Sequence, residues 1–196
     1  MSTGKVGIQA QRFALLARMD EKIFHADDLA NLWLIENKNT LYTTLKRYCG
    51  AGLLHRLFRG FYSLPPPDNL DPVLLGAAAL HDYCYLSTES VLYREGYISQ
   101  KPAVITFVSS RAKNFKILNY VYKSRRIKER YLFNSTGIEN QHGVRTAGAA
   151  RAIADLLYFM PKFYFDRPVD WGKIRDIQKK TGYPLTKERY AGAKNK

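Results

Sequence analysis

The residues best placed to do chemistry lie on one short amphipathic segment, Lys38 to Cys49, which Asn37 can cap and Gly50 and Gly52 can stop. Leu41, Leu45 and Tyr48 recur at i, i+4, i+7 and form its apolar side. Asn39, Tyr42, Thr43 and Lys46 recur at i, i+3, i+4, i+7 on the opposite side. That second stripe carries amide, phenol, hydroxyl and ammonium groups and no carboxylate. Such a set suits a helix inserted in the DNA major groove, where hydrogen-bonding side chains read base edges. Arg47 stands beside the stripe for a phosphate. A merely solvated helix face would show the same periodicity; the lack of acids and the hairpin that follows favour the DNA reading.

Catalytic patterns are poor by comparison. The sequence holds no GxxxxGK[ST] or GxGxxG phosphate loop, no HExxH, and no CxxC or His/Cys spacing for zinc. His25, His55, His81 and His142 are scattered, and the close carboxylate pairs, Asp68 with Asp71 and Asp166 with Asp170, fall in loops with no strand before them. No catalytic, cofactor-binding or metal-binding residue is therefore expected. An alternative keeps a nuclease-like second half using Glu89, Asp155 and a nearby lysine, although Asp155 on a helix with apolar neighbours more often caps or pairs with an arginine.

The elements that must position the stripe read as helix, helix, helix, hairpin. Phe13, Leu15, Leu16 and Met19 mark a first helix over 8–19, followed by the short extended piece Ile23-Phe24. Asp27 and Asp28 sit where the positive end of a second helix favours acids, ahead of Leu29, Ala30, Leu32 and Trp33. After the third helix, Leu53 to Ser63 reads as a two-stranded hairpin turning at Arg59-Gly60. That order is the order of a winged helix-turn-helix, with cations near the wing tip. The expected DNA-contacting set is Lys38, Asn39, Thr40, Tyr42, Thr43, Lys46, Arg47, Arg56 and Arg59.

Three consecutive prolines, Pro65 to Pro67, follow and cannot lie inside a helix or central strand. They mark a linker at 65–69 between a domain over 1–64 and a second over 70–184, with a flexible tail over 185–196. The second reads as mixed α/β, so the fold class is α+β. Asp71-Pro72 opens a helix through Leu80, Ser87 can cap another ending at Gly96, and late helices run from Ala147 to Met160 and from Trp171 to Lys180. Val104 to Ser109, Tyr120 to Tyr122 and Ile127 to Phe133 are the strand candidates.

Charge sharpens the picture. The 196 residues carry 31 Lys plus Arg against 17 Asp plus Glu, a net +14. Residues 64–100 hold a net −4 whereas residues 101–130 hold +8. In that basic stretch Arg111, Lys113, Lys116, Lys123, Arg125, Arg126, Lys128 and Arg130 are interleaved with Phe115, Tyr120, Tyr122 and Tyr131. The mixture suits a polyanion, whether nucleic acid or an acidic protein, and equally a solvated strand face with its aromatics in the core. With 46% apolar residues the chain is globular rather than a disordered basic tail. Its longest nearly pure apolar run, Val73 to Leu80, is far too short to span a membrane. The N-terminal segment, interrupted by Lys5, Gln9, Gln11 and Arg12, does not read as a secretory signal, and two cysteines make no disulfide framework; a cytoplasmic protein is expected.

The runs Phe24 to Ala30, Asn39 to Tyr48 and Gly52 to Tyr62 resemble the N-terminal domain of AbiEi-type antitoxins, and Tyr85-Leu86-Ser87-Thr88-Glu89-Ser90-Val91-Leu92-Tyr93 with Gly96-Tyr97-Ile98 and Pro102 is similar to the start of their C-terminal domain. Arg151, Ala152 and Asp155 fit the family's late helix, while its usual Pro-Glu start is replaced here by Ala149-Ala150. The resemblance covers roughly residues 20–160. It implies an antitoxin of a bacterial abortive-infection operon, whose winged helix represses its own promoter at an inverted repeat and whose second domain counters a nucleotidyltransferase-like AbiEii toxin. A solitary promoter regulator with a dimerising or sensing second domain is the competing reading.

Overall fold

The computed structural model describes residues 3–186 and divides by its internal contacts into two units, Met1–Asp71 and Pro72–Lys196. Each is α+β.

In the first unit, α1 (Thr3–Ala17), α2 (Ala26–Leu32) and α3 (Lys38–Gly50) accompany an antiparallel sheet in which β3 (Phe61–Ser63) lies between β1 (Ile23–His25) and β2 (His55–Phe58). The apolar stripe of α3, Leu41, Leu45 and Tyr48, is buried with Leu16, Phe24, Leu29, Trp33 and Leu54. Two aromatic donors fasten α1 to this core: the Tyr48 hydroxyl donates to the Gln9 carbonyl at 3.1 Å and the Trp33 indole to the Arg12 carbonyl at 3.3 Å. A buried Tyr or Trp needs such a partner for its polar tip, so both bonds fix where α1 can lie. Leu64 packs on the same core and Pro67–Asn69 forms a 3-10 turn, so the prolines belong to this unit.

The second unit is built on a six-stranded mixed sheet in the order β6 (Lys113–Ile117), β7 (Tyr120–Arg126), β5 (Ile105–Ser109), β4 (Cys84–Leu86), β9 (Val144–Ala147), β8 (Ile138–Gln141). β5 runs parallel to β7 and β4 parallel to β9; the other pairs are antiparallel. Successive residues of a strand face opposite sides of a sheet. Phe107 and its neighbour Tyr122 face α4 (Pro72–Leu80), where a Cβ on Gly76 would stand 2.4 Å from the Tyr122 ring. Thr106 faces the other way and exchanges hydrogen bonds with Ser90 of α5 (Glu89–Arg94). Packed with α5 is α7 (Ala149–Phe159), itself packed with α8 (Trp171–Thr181).

At the centre of this layer is an ion pair wholly removed from water. Arg151 and Asp155, both 0% exposed, meet at 2.9 Å one helical turn apart on α7. Burial alone would disfavour either charge, and only a saturated environment makes the pair tolerable. The Arg151 guanidinium also donates to the carbonyls of Asn134, Thr136 and Tyr131 and to the hydroxyls of Tyr85 and Tyr183. Asp155 accepts from Tyr183 at 2.6 Å and from Ser87 at 2.7 Å.

Three expectations are corrected here. Ile127 to Phe133 is not a strand but contains the short helix α6 (Glu129–Leu132): its burial does not alternate, since Tyr131 and Leu132 are both buried and Glu129 and Arg130 both exposed. Ser87 does not cap α5, because its hydroxyl is committed to Asp155; Thr88 occupies the cap position at φ 51°, with no side-chain cap bond. The expected tail does not begin at 185, because the Thr186 amide and hydroxyl bond both ends of the Gln178 amide; residues 187–196 lie outside the described residues.

The pair makes two predictions. Asp155→Asn leaves the Arg151 charge buried without its counter-charge and should cost about 3–5 kcal/mol in chemical denaturation, while Tyr183→Phe, which deletes the hydroxyl that donates to Asp155 and accepts from Arg151, should cost about 1.5–3 kcal/mol. Burial also pushes the Cys84 thiol up to about 12 and the Tyr85 and Tyr183 phenols well above their usual range, the nearby Asp155 charge adding to the shift of both phenols. The unfolded chain gives up these protons first. Stability should therefore be whole below about pH 9 and fall as pH rises beyond it, by about 1.4 kcal/mol per pH unit for each titrating group. Denaturation midpoints compared at neutral and alkaline pH should show a shallower early decline in Cys84→Ala than in wild type.

Candidate nucleic-acid interface

Helix α3 begins where the Asn37 side chain accepts from the backbone amides of Asn39 at 2.9 Å and Thr40 at 3.2 Å. With its apolar stripe in the core, the helix leaves Lys38, Asn39, Thr40, Tyr42, Thr43, Lys46 and Arg47 exposed. No carboxylate lies among them. Thr44 is buried instead, its hydroxyl returned to the Thr40 carbonyl at 2.8 Å.

The stripe is divided between two grooves. Asn39, Thr40, Thr43 and Arg47 line one of about 410 Å³, whose other wall is Ile8, Gln9 and Arg12 of α1. Tyr42 and Lys46 line a second of about 720 Å³, whose other wall is the hairpin with Arg56, Arg59 and Gly60. The helix therefore stands as a ridge with cations on both sides. His25, Cys49 and Tyr62 complete the hairpin-side groove and Arg12 the other; none of these four belongs to the expected set. Arg12 is remote from α3 along the chain, and the bonds from Tyr48 and Trp33 to α1 bring it alongside.

The hairpin is aimed by its turn. Gly60 has φ +82°, a left-handed conformation costly for a side-chain-bearing residue. Its carbonyl accepts from the Ala26 amide at 2.8 Å, and a Cβ there would stand 2.9 Å from the Nε2 of His25. His25 cannot readily move away, because its Nδ1 accepts from the Asp27 amide at the start of α2 and its ring meets Phe61 edge-on at 4.8 Å. A register shift between Arg56 and Phe58 lets Phe58 face Phe61 at 4.6 Å while Arg56 stays exposed.

The expected polyanion residues of the second unit do not form one surface. The β6–β7 register puts Lys116, Lys123 and Arg125 on one face of the sheet and Lys113 and Arg126 on the other. Arg125 is mostly withdrawn: it is ion-paired with Glu89, lies 5.4 Å from the Phe159 ring and has a side chain 15% exposed. Arg111 pairs with Asp82 at 3.3 Å, and Arg130 stacks on Tyr131 at 4.6 Å. Glu89 and Asp155 are each ion-paired with an arginine, and Asp155 is 0% exposed. Among the described residues no group of three or more His, Cys, Asp or Glu could hold a metal ion, and no helix is long and apolar enough to cross a membrane.

No family model matches the chain, and no curated protein does. Among solved structures, the RV2827C protein from Mycobacterium tuberculosis is similar in fold, with a TM-score of 0.51 at 15% identity, over 90% of this chain and 72% of that one. At that identity the likeness speaks for a shared α+β architecture and for nothing finer.

The turn yields a prediction. Gly60→Ala should destabilise the first unit by about 1–3 kcal/mol through the strained φ and the encounter with His25, read as a lower denaturation midpoint of the Trp33 fluorescence. Gly52→Ala, also at positive φ but with open space around its Cβ, should cost less.

Proposed function

We propose that the first unit is a winged helix-turn-helix that binds duplex promoter DNA, and that the chain acts as antitoxin and autorepressor of an abortive-infection operon. In this reading α2 and α3 form the helix-turn-helix, α3 enters the major groove, and the β2–β3 hairpin is the wing. The observation that carries the DNA-binding half is the carboxylate-free ridge of α3 with Lys46, Arg56 and Arg59 on one flank and Arg12 and Arg47 on the other. A duplex carries phosphates on both sides of its groove, so a reading helix needs cations on both sides of itself. Asn39 and Thr43 are the base readers, Tyr42 an apolar and hydroxyl contact, and Lys38, Lys46, Arg47, Arg56 and Arg59 the phosphate contacts. The antitoxin half rests on the resemblance of the two segments to AbiEi-type antitoxins; the toxin countered would be a nucleotidyltransferase-like AbiEii protein.

The test is competition binding on the upstream region of the operon. Asn39→Ala with Thr43→Ala should relax discrimination by about 1–3 kcal/mol for each base-reading side chain removed, whereas Arg59→Ala should weaken all sequences alike and reduce the slope of log K against log salt by about 0.9. Unaltered selectivity in the double variant would reject α3 as the reader. For the second half, growth of cells expressing the neighbouring toxin should be restored by the wild type and by the Asn39→Ala/Thr43→Ala variant alike; toxicity unrelieved by wild type would reject the antitoxin reading.

A further inference from the structure

The carboxyl ends of the parallel strands β5 and β7 come together at Ser109 and Arg126, which are register partners. Ligand crevices in α/β sheets form at such ends, because the loops that leave them diverge. Here the chain leaving β5 is held down at once. The Ser109 and Ser124 hydroxyls lie 2.6 Å apart and 2.8 and 2.9 Å from the Arg111 carbonyl, so their two protons serve this three-membered cluster and tie the loop to both strands. The Ser110 hydroxyl and the Arg111 guanidinium meet the carboxylate of Asp82. These bonds hold that carboxyl below its ordinary range, so it is charged at neutral pH and keeps Arg111 in place.

The pinned loop has a groove on each side. One, of about 500 Å³, is lined by Ser110, Arg126, Lys128, Glu129 and Tyr158; the other, of about 200 Å³, by Asp82, Arg111 and Lys113. Four cations thus stand with two carboxylates around one short loop, and since Arg111 and Asp82 engage each other, Arg126, Lys128 and Lys113 are left with Glu129 as the remaining charges. Arg126 and Lys128 are exposed, and neither has an ion-pair partner among the described residues.

We propose that this crevice binds the phosphodiester backbone of a single-stranded nucleic acid, a site in addition to the duplex-binding ridge of the first unit. A protein partner with an acidic surface would share the charge, but protein interfaces are centred on apolar and aromatic anchors. The large exposed apolar side chains of these strands, Leu118, Tyr120 and Val121, lie at the opposite end, around the β6–β7 turn. A strand of phosphates needs no such anchor. It needs cations spaced along a path, and the two grooves flanking residues 110–112 supply them. Recessed grooves of this size admit a single strand more readily than a duplex, whose phosphates are spread over a wide convex surface.

The experiment is fluorescence anisotropy of the full chain with labelled mixed-sequence strands of about 12 nucleotides, RNA and DNA in parallel, across a salt series. Arg126→Ala with Lys128→Ala should weaken strand binding several-fold and reduce the salt slope by about 0.7 for each phosphate no longer neutralised, while leaving operator-duplex binding unchanged. Lys46→Ala with Arg59→Ala should do the reverse. Arg126→Lys with Lys128→Arg should retain binding, which separates loss of charge from loss of fold. Strand affinity unchanged in the Ala pair, or lost only with Lys46 and Arg59, would overturn the site, as would displacement of the strand by a poly-glutamate peptide as effective as a phosphodiester of equal charge. Failure of the duplex arm alone would reject the ridge and leave this crevice standing.

Discussion

The second unit depends on one guanidinium. Arg151 has five N–H groups and no means of losing its charge, so at 0% exposure each must find an acceptor inside the protein. The acceptors come from five places: Asp155 on its own helix, Tyr85 on β4, Tyr131 on α6, Asn134 and Thr136 in the following loop, and Tyr183 beyond α8. A buried ion pair brings little net stability over an apolar replacement, because desolvation consumes most of the attraction. What it brings here is a demand that Asp155 and the loop with Asn134 and Thr136 arrive together with at least two of Tyr85, Tyr131 and Tyr183, since fewer would strand a buried donor. The loop tightens around it as well: a Cβ on Gly137 would stand 3.0 Å from the Arg151 Cβ.

That demand explains why the two ends of the sheet behave differently. Side chains near the pair are used up: Ser87 is taken by Asp155, and the rings of Tyr131, Tyr158 and Tyr183 pack edge-to-face or tilted around it. Around the carboxyl ends of β5 and β7, the serines hold backbone and the cations are left in water. In the first unit the division is between faces of one helix rather than ends of a sheet. Leu41, Leu45 and Tyr48 are spent on the core, and every polar residue of the facing stripe is left over.

Much of this was legible. Asn37, the two stripes of α3 and the Arg59-Gly60 turn are local signals, each complete within a few residues, and each corresponds to an element in the fold. That Asp155 would cap or pair with an arginine was legible from its apolar helical neighbours; that the partner is Arg151 was not, although it stands one turn away. Strands β6, β8 and β9 were not, because edge and short strands carry polar residues on both sides: Glu139 and Asn140 are exposed neighbours, and alternation has nothing to show. The helix at Glu129–Leu132 has the aromatic and aliphatic content of a strand, which tertiary packing of Tyr131 against Tyr158 and Tyr183 overrides. The second walls of both α3 grooves were invisible, since His25 and Arg12 reach the helix only through folding.

Net charge is the quantity the sequence overstates. Of the basic residues in the second unit, the arginines are mostly occupied: Arg151 is paired with an acid out of water and Arg125 with one half-buried, Arg111 is paired at the surface, and Arg130, Arg145 and Arg167 lie 4.6, 4.4 and 3.9 Å from the rings of Tyr131, Tyr83 and Tyr97. A flat, weakly hydrated guanidinium can stack on a ring or bridge carbonyls with little loss, whereas a lysine ammonium holds its water and stays outside. A count of cations therefore measures two populations at once, one that builds the fold and one that is free to meet a partner. Arg126 falls in the second because it is exposed at the end of β7, and its neighbour Arg125 falls in the first because the pleat turns it to Glu89 and Phe159. Two adjacent arginines of the same sequence context are thus divided by strand geometry alone, and any assignment of the basic stretch to a ligand has to follow the pleat rather than the composition.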